Sequence, residues 1–120
     1  GALQAKILKT SGAFHTPLMQ PAQDKLATAL EEALPNMKSP KCTVWMNASA
    51  EPMRPGTDPK DIVELLKRQL TNPVLWEPSM KAVIDEGIKE FYEVGPQNQI
   101  KAMMKRIDPN AWKATTNIDV

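Results

Sequence analysis

Few side chains in this sequence are able to do chemistry at neutral pH. His15 is its only histidine and Cys42 its only cysteine. Because histidine changes charge in the physiological pH range, His15 is the candidate general base or acid. One cysteine and one histidine cannot build a Cys/His zinc site, and one cysteine forms no disulfide within the chain. We expect Cys42 to be a small buried apolar residue.

A histidine base needs a nucleophile beside it and an acceptor that orients its ring. The sequence contains no Gly-x-Ser-x-Gly segment. None of Ser11, Ser39, Ser49 and Ser79 stands in the setting of a nucleophile elbow. On spacing alone, a surface or capping role for His15 stays open beside the catalytic one.

The elements that must position these residues follow from the spacing of the apolar side chains. The first three are a strand at 6–14, a helix capped by Thr16-Pro17 and ended by Pro35, and a buried strand at 42–46. After them come a helix from Asp58-Pro59 to Asn72-Pro73, a helix from Glu77-Pro78 to Gly87, a strand at 90–94, and a last helix with Ile100, Met103, Met104 and Ile107 inward. Residues 51–57 are predicted to form a loop, and the tail after Asp108 has no clear period and is expected to be loosely held.

The order β-α-β-α-α-β-α predicts an α/β fold with a parallel sheet flanked by helices. Loops that leave the carboxyl ends of parallel strands gather at one rim, where ligands bind. We therefore expect His15, Asn47, Ser49 and Gly95 at a common rim. The segment 95–98 precedes a helix and is a candidate for backbone N–H contacts to an anion, although it lacks a phosphate-loop glycine pattern.

Composition excludes several classes of protein. With 120 residues, 42% hydrophobic and 24% charged, the chain fits one globular domain and neither a disordered nor a fibrous protein. A net charge of +1 argues against a nucleic-acid partner, and no apolar run approaches the roughly 20 residues of a membrane helix. The Lys101, Lys105 and Arg106 cluster is interpreted as solvated, with docking of an acidic partner as the alternative.

Three separate blocks resemble the malonyl-CoA:acyl carrier protein transacylase family. They are Ser11-Gly12-Ala13-Phe14-His15-Thr16-Pro17-Leu18-Met19, then Arg68-Gln69-Leu70-Thr71-Asn72-Pro73-Val74-Leu75-Trp76, and finally Tyr92-Glu93-Val94-Gly95-Pro96 followed by Met104-Lys105-Arg106-Ile107. The resemblance extends over residues 8–108, and the second block is the most specific. It implies the C-terminal part of the large α/β-hydrolase-like acyltransferase subdomain over residues 1–108, with a C-terminal tail at 109–120.

The resemblance implies an acyl transfer of fatty acid synthesis in two halves. A seryl nucleophile takes malonyl from malonyl-CoA, and the phosphopantetheine thiol of acyl carrier protein then accepts it. The resemblance implies that His15 is the general base and acid, that the main-chain carbonyl of Gln69 orients it, and that Phe14 favours malonyl. Asn47, at the predicted rim, is a further substrate-binding candidate. No metal or bound cofactor is expected.

The nucleophile and the malonyl-binding arginine of the family have no counterpart in this chain. We therefore expect the chain alone to be inactive, to need the N-terminal half of the enzyme, and to self-associate through strands that lack neighbours. Its expected partner is acyl carrier protein, without nucleic acid or membrane, in a bacterial cytoplasm or a plastid. The alternatives are a non-catalytic α/β module that binds a carrier protein, and the same part of a polyketide synthase acyltransferase domain.

One short segment departs from the family pattern. Gln97-Asn98 stands where many members have Gly and Lys after Gly95-Pro96. This difference puts a backbone contact with an anion at that turn in doubt.

Overall fold

The computed structural model describes residue 7 and residues 9–120. Those residues form five α-helices and four short strands. In chain order the elements are α1 (Gln20–Ala33), β1 (Val44–Trp45), β2 (Pro52–Met53), α2 (Pro59–Arg68), α3 (Trp76–Asp85), β3 (Phe91–Val94), α4 (Gln99–Ile107), α5 (Pro109–Lys113) and β4 (Thr115–Ile118).

The strand predicted at 6–14 is not formed by the described part of that segment, and the rest lies outside the described residues. Residues 9–13 are irregular or bent, and a turn begins at Phe14. Ser11 and Gly12 form the bend, and His15 has a φ of +62°, which an extended strand does not allow. The sequence-based strand is therefore wrong for residue 7 and residues 9–14.

The chain reaches α1 through a short 3-10 helix, Pro17–Met19. Proline suits this first position because it has no N–H to leave unpaired. Thr16 occupies the predicted cap position and has an extended backbone. Its hydroxyl, however, donates to the carbonyl of Ala13 at 2.7 Å and does not cap the helix. Pro21 lies in the first turn of α1, where it is tolerated.

The strand predicted at 42–46 is shortened to β1 and forms an antiparallel pair with β2. Val44 pairs with Met53, and Trp45 pairs with Pro52. The expectation of a buried strand is wrong, because Val44 is exposed and Trp45 only half-buried. Residues 51–57 were expected to be a loop, but Pro52 and Met53 form β2. The side chain of Met53 is buried in the core, which holds this short strand in place.

The helices α2 and α3 begin and end near the predicted positions. Asp58 caps α2 by accepting the N–H of Lys60 at 2.9 Å, and Pro59 follows as the first helical residue. Val63 lies on the buried face of α2, and only 3% of the surface of Val63 is exposed. Gly87 ends the α3 segment with a φ of +87°, a conformation that glycine adopts without strain.

The C-terminal segment is the largest departure from the sequence-based expectation. Residues 109–120 were expected to be loosely held, but they form α5 and β4. Asp108 caps α5 by accepting the N–H groups of Asn110 and Ala111, both at 2.7 Å. β4 then pairs in parallel with β3, from Phe91 opposite Thr115 onward. The tail has no apolar period because its anchoring comes from capping and strand pairing.

The described strands form two small sheets, β1 with β2 and β3 with β4. The second sheet is parallel and packs against α4, so the predicted α/β class with a parallel sheet is confirmed. The predicted strand order is not observed among the described residues, because β1 pairs with β2 and not with β3.

The core of the described chain is small. Its buried apolar residues are Ala48, Met53, Val63, Met104 and Ala111. Several large apolar side chains lie at the surface, and the second sheet contributes three of them: Tyr92, Val94 and Ile118. None of the described helices combines the length and the apolar character that crossing a membrane demands.

Candidate active site

His15 lies in a tight turn between the irregular N-terminal segment and α1. It is half-buried and has a φ of +62°, a left-handed conformation that is uncommon for residues with a Cβ. The Thr16 hydroxyl closes this turn on the carbonyl of Ala13 at 2.7 Å. A strained backbone persists only where its surroundings hold it, and such residues concentrate at functional sites.

The ring of His15 has one well-defined partner. Its Nδ1 lies 2.7 Å from the main-chain oxygen of Gln69, 54 residues along the chain. A carbonyl oxygen only accepts, so Nδ1 must carry the proton and donate it. In the neutral ring this leaves the lone pair on Nε2, which is the form a general base needs. The contact implied by the resemblance is present, and its catalytic role stays a prediction.

The Gln69 carbonyl is available because α2 ends there. Gln69 is the C-cap residue of α2, and the last carbonyls of a helix lack intrahelical partners. The N–H groups of Thr71 and Asn72 both donate to the carbonyl of Arg68, at 3.3 and 3.1 Å, which leaves the Gln69 oxygen to His15. The C-terminal end of a helix is its negative pole, so an N–H donor such as Nδ1 is a suitable partner for this carbonyl.

Asn47 lies next to the same segment. Its Nδ2 donates to Gln69 Oε1 at 3.5 Å, and its main-chain oxygen accepts the N–H of Leu75 at 2.8 Å. The loop after β1 therefore contacts both ends of residues 69–75. Asn47 is exposed, and its role in substrate binding stays a prediction.

The rim predicted from the sequence is formed only in part. Of its four residues, His15 and Asn47 share Gln69 as a neighbour. Ser49 Oγ instead accepts the N–H of the residue two positions later, within its own loop, at 3.2 Å. Across residue 7 and residues 9–120, no hydrogen bond connects Ser49 or Gly95 with His15.

Phe14 projects into solvent directly before His15. It is 53% exposed, and its ring lies over Gly12. A Cβ at Gly12 would lie 3.1 Å from Cε2 of that ring, so glycine provides the space for this ring position. The selectivity role of Phe14 stays a prediction.

No candidate nucleophile meets the ring within the described part of the chain. Ser79 is buried, and its hydroxyl donates to the carbonyl of Leu75 at 2.7 Å within α3. Cys42 is exposed, so the expectation that it is buried is wrong. It lies in a bend before β1, which begins only at Val44.

The turn after β3 is already occupied by a carboxylate. Glu93 is 8% exposed, and its two oxygens accept the N–H groups of Ile100 and Lys101, both at 2.9 Å. These N–H groups belong to the first turn of α4, where a negative charge is favoured. These two N–H groups of α4 are therefore already paired within the chain, and an anion contact by residues 95–98 themselves stays a prediction.

Asn117 of β4 holds the same turn from the other side. Its Nδ2 approaches the carbonyl oxygens of Glu93 at 3.3 Å, Gly95 at 3.2 Å and Gln97 at 2.6 Å. Gln97 has a φ of +73°. Glycine adopts this left-handed conformation without the strain that a Cβ brings.

Lys105 and Lys67 are two basic residues with defined contacts. Nζ of Lys105 lies 4.8 Å from the ring centroid of Trp112, which is a cation–π contact. Lys67 of α2 pairs with Glu64 at 2.8 Å and with Glu31 of α1 at 3.7 Å. The hydrogen bond that Lys67 donates to Glu64, followed by the charges of both carboxylates, raises the pKa of Lys67 above its ordinary value.

Sequence reasoning missed several residues that shape the site. Asn117 gave no signal because the strand of the tail was not predicted, and Glu93 was seen only as a member of the strand at 90–94 and of the third block. Thr71 was seen only as a member of the second block, and Gln23 was not singled out within the first predicted helix. No cluster of residues with metal-ligand character occurs in the described ranges.

Comparison with known proteins identifies relatives over nearly the whole chain. A scan against protein-family models finds no match. The human mitochondrial malonyl-CoA-acyl carrier protein transacylase is 37% identical over an alignment of 121 positions, which covers 98% of this chain and 30% of that protein. The chain thus spans about a third of the length of the curated relative.

Solved structures agree with this relationship. The malonyl CoA-acyl carrier protein transacylase of Coxiella burnetii matches with a TM-score of 0.83 and 34% identity, over 98% of this chain and 35% of that one. A malonyl-transacylase solved in complex with a type II PKS acyl-carrier protein matches with a TM-score of 0.74 and 29% identity, over 94% of this chain and 34% of that one. These matches confirm the family resemblance and the fold class predicted from the sequence.

Proposed function

We propose that this chain, a homologue of the malonyl-CoA:acyl carrier protein transacylases over 98% of its length, contributes the histidine of an acyl-transfer site. The observation that supports the proposal is the 2.7 Å contact between His15 Nδ1 and the Gln69 carbonyl. This contact leaves Nε2 free to accept a proton. The nucleophile, a serine, comes from a part of the enzyme that this chain does not contain.

The proposed reaction has two halves, and in each half His15 first accepts one proton and then releases it. Nε2 accepts the serine proton as the serine oxygen attacks the thioester carbonyl of malonyl-CoA. The intermediate expels the CoA thiolate, which takes that proton from His15. In the second half Nε2 takes the proton of the carrier-protein thiol as its sulfur attacks the ester, and returns it to the departing serine oxygen.

Gln69 acts in this proposal through its main chain. Its carbonyl fixes the Nδ1–H tautomer and the plane of the ring. A neutral oxygen stabilises imidazolium less than a carboxylate does, and the C-terminal end of α2 adds to its effect. Phe14, beside the reacting acyl group, disfavours a branched α-carbon, a discrimination worth about 1–3 kcal/mol. Asn47 contributes an amide to substrate binding.

The substrates proposed are malonyl-CoA and phosphopantetheinylated acyl carrier protein, and the thioester needs no bound cofactor for this chemistry. Acyl carrier protein is the proposed partner, because a related transacylase has been solved with such a protein. Relatives are known from bacteria and from the mitochondrion. We propose a bacterial cytoplasm or an organelle that makes fatty acids as the location.

The rival proposal is a non-catalytic module that binds a carrier protein. The basic side chains on α4 are the feature that favours it. The left-handed backbone of His15 and its oriented ring favour the enzyme, because binding by α4 has no need of them. An acyltransferase of polyketide synthesis would use the same geometry and is distinguished only by its carrier protein.

The test joins this chain to the part of the site that it lacks. In a chimaera this chain replaces the matching segment of the Coxiella burnetii relative, and malonyl transfer from malonyl-CoA to acyl carrier protein is measured. We expect transfer by the chimaera, none by this chain alone, and a loss of about 10²–10⁴-fold in kcat/KM for His15→Ala.

Thr28→Val is the control, since Thr28 lies on the exposed side of α1 and its hydroxyl contacts only its own helix. Full activity of the His15→Ala chimaera would overturn the catalytic proposal. Carrier-protein binding by this chain alone that is insensitive to His15→Ala, with an inactive chimaera, would favour the rival.

A further inference from the structure

The candidate site is built from two segments that are far apart in the sequence. One is the turn that carries His15 and leads into α1, and the other is the end of α2 with Gln69. The direct link between their catalytic groups is a single hydrogen bond. Because His15 sits in a left-handed turn with an exposed neighbour, Phe14, this bond alone is a weak restraint on the ring.

A second hydrogen bond joins the same two segments. Oγ1 of Thr71 lies 2.7 Å from Oε1 of Gln23, and the contact is partly buried. Gln23 lies in the first turn of α1, eight residues after His15, and Thr71 follows Gln69 by two residues. A hydroxyl both donates and accepts, whereas the amide oxygen of Gln23 only accepts, so Thr71 is the donor.

The Thr71 hydroxyl is held in place by its own neighbour. Nδ2 of Asn72 donates to the carbonyl of Arg68 at 2.7 Å and to Thr71 Oγ1 at 3.2 Å. With its lone pair engaged by Asn72, the Thr71 hydroxyl directs its hydrogen toward Gln23, which at 2.7 Å is much nearer than the carbonyl of Arg68 at 3.5 Å. The network therefore fixes the turn that presents the Gln69 carbonyl.

We propose that Thr71 and Gln23 are positioning residues, which hold the start of α1 against the end of α2 so that His15 keeps its hydrogen bond to the Gln69 carbonyl. The functional meaning of this rests on the proposed role of His15 as a base. The position and tautomer of the His15 ring are measurable without any acyl transfer. Neither side chain contacts the ring, so both act through the backbone segments.

The test uses the sole histidine of the chain as a probe. In protein labelled with ¹⁵N at histidine, NMR reports the tautomer of the ring and the Nδ1–H proton in the bond to Gln69. Thr71→Val removes the hydroxyl and keeps the branched shape, and Gln23→Met removes the acceptor at similar length. Thr71→Ser restores the hydroxyl, and Thr28→Val removes a hydroxyl elsewhere on α1.

We expect Thr71→Val and Gln23→Met each to lose the Nδ1–H signal or shift the ring toward the other tautomer, while Thr71→Ser and Thr28→Val keep the native spectrum. The double variant is expected to be no worse than either single variant, because both remove one interaction. In the chimaera, we expect kcat to fall about tenfold or more with KM little changed, since small misplacements of reacting groups are costly.

An unchanged ring spectrum in Thr71→Val or Gln23→Met would overturn the proposal. If Thr71→Val fails to fold by circular dichroism, Gln23→Met decides in the same way. A further outcome is that Thr71→Val and Gln23→Met change the ring spectrum as expected but the chimaera with the native His15 is inactive. That outcome would support the positioning proposal and count only against the catalytic function of His15.

Discussion

His15 reaches the Gln69 carbonyl from a backbone conformation that few residues with a side chain adopt. Its φ of +62° costs about 1–3 kcal/mol, which the surrounding structure has to offset. The hydrogen bond at 2.7 Å and the closure of the turn by Thr16 are the contacts that do so. At the scale of single residues, the site is thus a strained donor placed against a helix-end acceptor.

A second left-handed residue, Gln97, gives a direct test of backbone strain. A residue with a Cβ in this region costs about 1–2 kcal/mol relative to the right-handed form, whereas glycine pays no such penalty. Glycine also gains freedom in the unfolded chain, which offsets part of the gain. We expect Gln97→Gly to raise the free energy of unfolding by about 0.5–1 kcal/mol in urea denaturation.

Gln99→Gly is the matched control for this change. Gln99 Nε2 donates to Gln97 Oε1 at 2.8 Å, so both variants lose the same exposed hydrogen bond. Gln99, however, begins α4, where glycine lowers stability by up to about 1 kcal/mol. Equal destabilisation by both variants would show that Gln97 is not strained.

The residues of the site were predictable to different degrees. His15 was identifiable because it is the sole histidine, and Gln69 because its block resembles a known family. The Thr71–Gln23 link was not predictable, since it joins residues 48 positions apart through side chains of ordinary type. Cys42 was misjudged because its exposure depends on where β1 starts, and strand ends carry little signal.

At the scale of elements, the backbone groups at helix ends make the key polar contacts of the site and of the turn after β3. The carbonyl that orients His15 is at the end of α2, and the carboxylate of Glu93 closes the start of α4. Both use backbone groups that a helix leaves unpaired. Capping by Asp58 and Asp108 was visible from the Asp-Pro pairs, and Asp58 was predicted on that basis.

Glu93 of β3 is a buried charged residue, and we expect its substitution to destabilise the chain strongly. Its buried carboxylate accepts two N–H groups at 2.9 Å, and hydrogen bonds to charged groups contribute about 1.5–3 kcal/mol. Glu93→Gln turns one acceptor into a donor that faces an N–H group. We expect the free energy of unfolding to fall by about 2 kcal/mol or more.

Glu90→Gln serves as the control for Glu93→Gln, because Glu90 is exposed just before β3. We expect its effect on unfolding to stay within about 0.5 kcal/mol. Chemical denaturation followed by circular dichroism measures both. A Glu93→Gln variant as stable as the Glu90→Gln variant would contradict the assigned capping role.

The elements themselves were predicted where local signals were strong. The bounds of α2, α3, β3 and α4 follow from Asp-Pro, Glu-Pro, Gly87 and Gly95 signals together with apolar spacing. β2 and β4 were missed because each is only two to four residues long and forms through pairing with a distant strand. A pairing of this kind depends on tertiary contacts, which a local pattern does not contain.

At the scale of the whole molecule, the second sheet is open on one face. Phe91 and Glu93 of β3 point inward, whereas Tyr92 and Val94 are 60% and 66% exposed, beside Ile118 of β4 at 40%. Parallel sheets are normally covered on both faces. This open face follows from the sequence only once the tail is known to form β4, so its extent was not predictable.

We expect this open face to make the isolated chain self-associate. Exposed apolar side chains on adjacent parallel strands form a continuous patch, and the strand edge beside it, which no other described strand pairs with, is a further site for pairing. Sedimentation velocity should show a weight-average mass that rises with concentration. Val94→Lys places a charge in the middle of the patch and should shift the chain toward monomer, because burying an unpaired lysine is costly. Val74→Lys is the control, because Val74 is exposed but lies outside both sheets. A wild-type chain that stays monomeric at all concentrations would contradict association through this face. Equal effects of Val94→Lys and Val74→Lys on the mass would also contradict it.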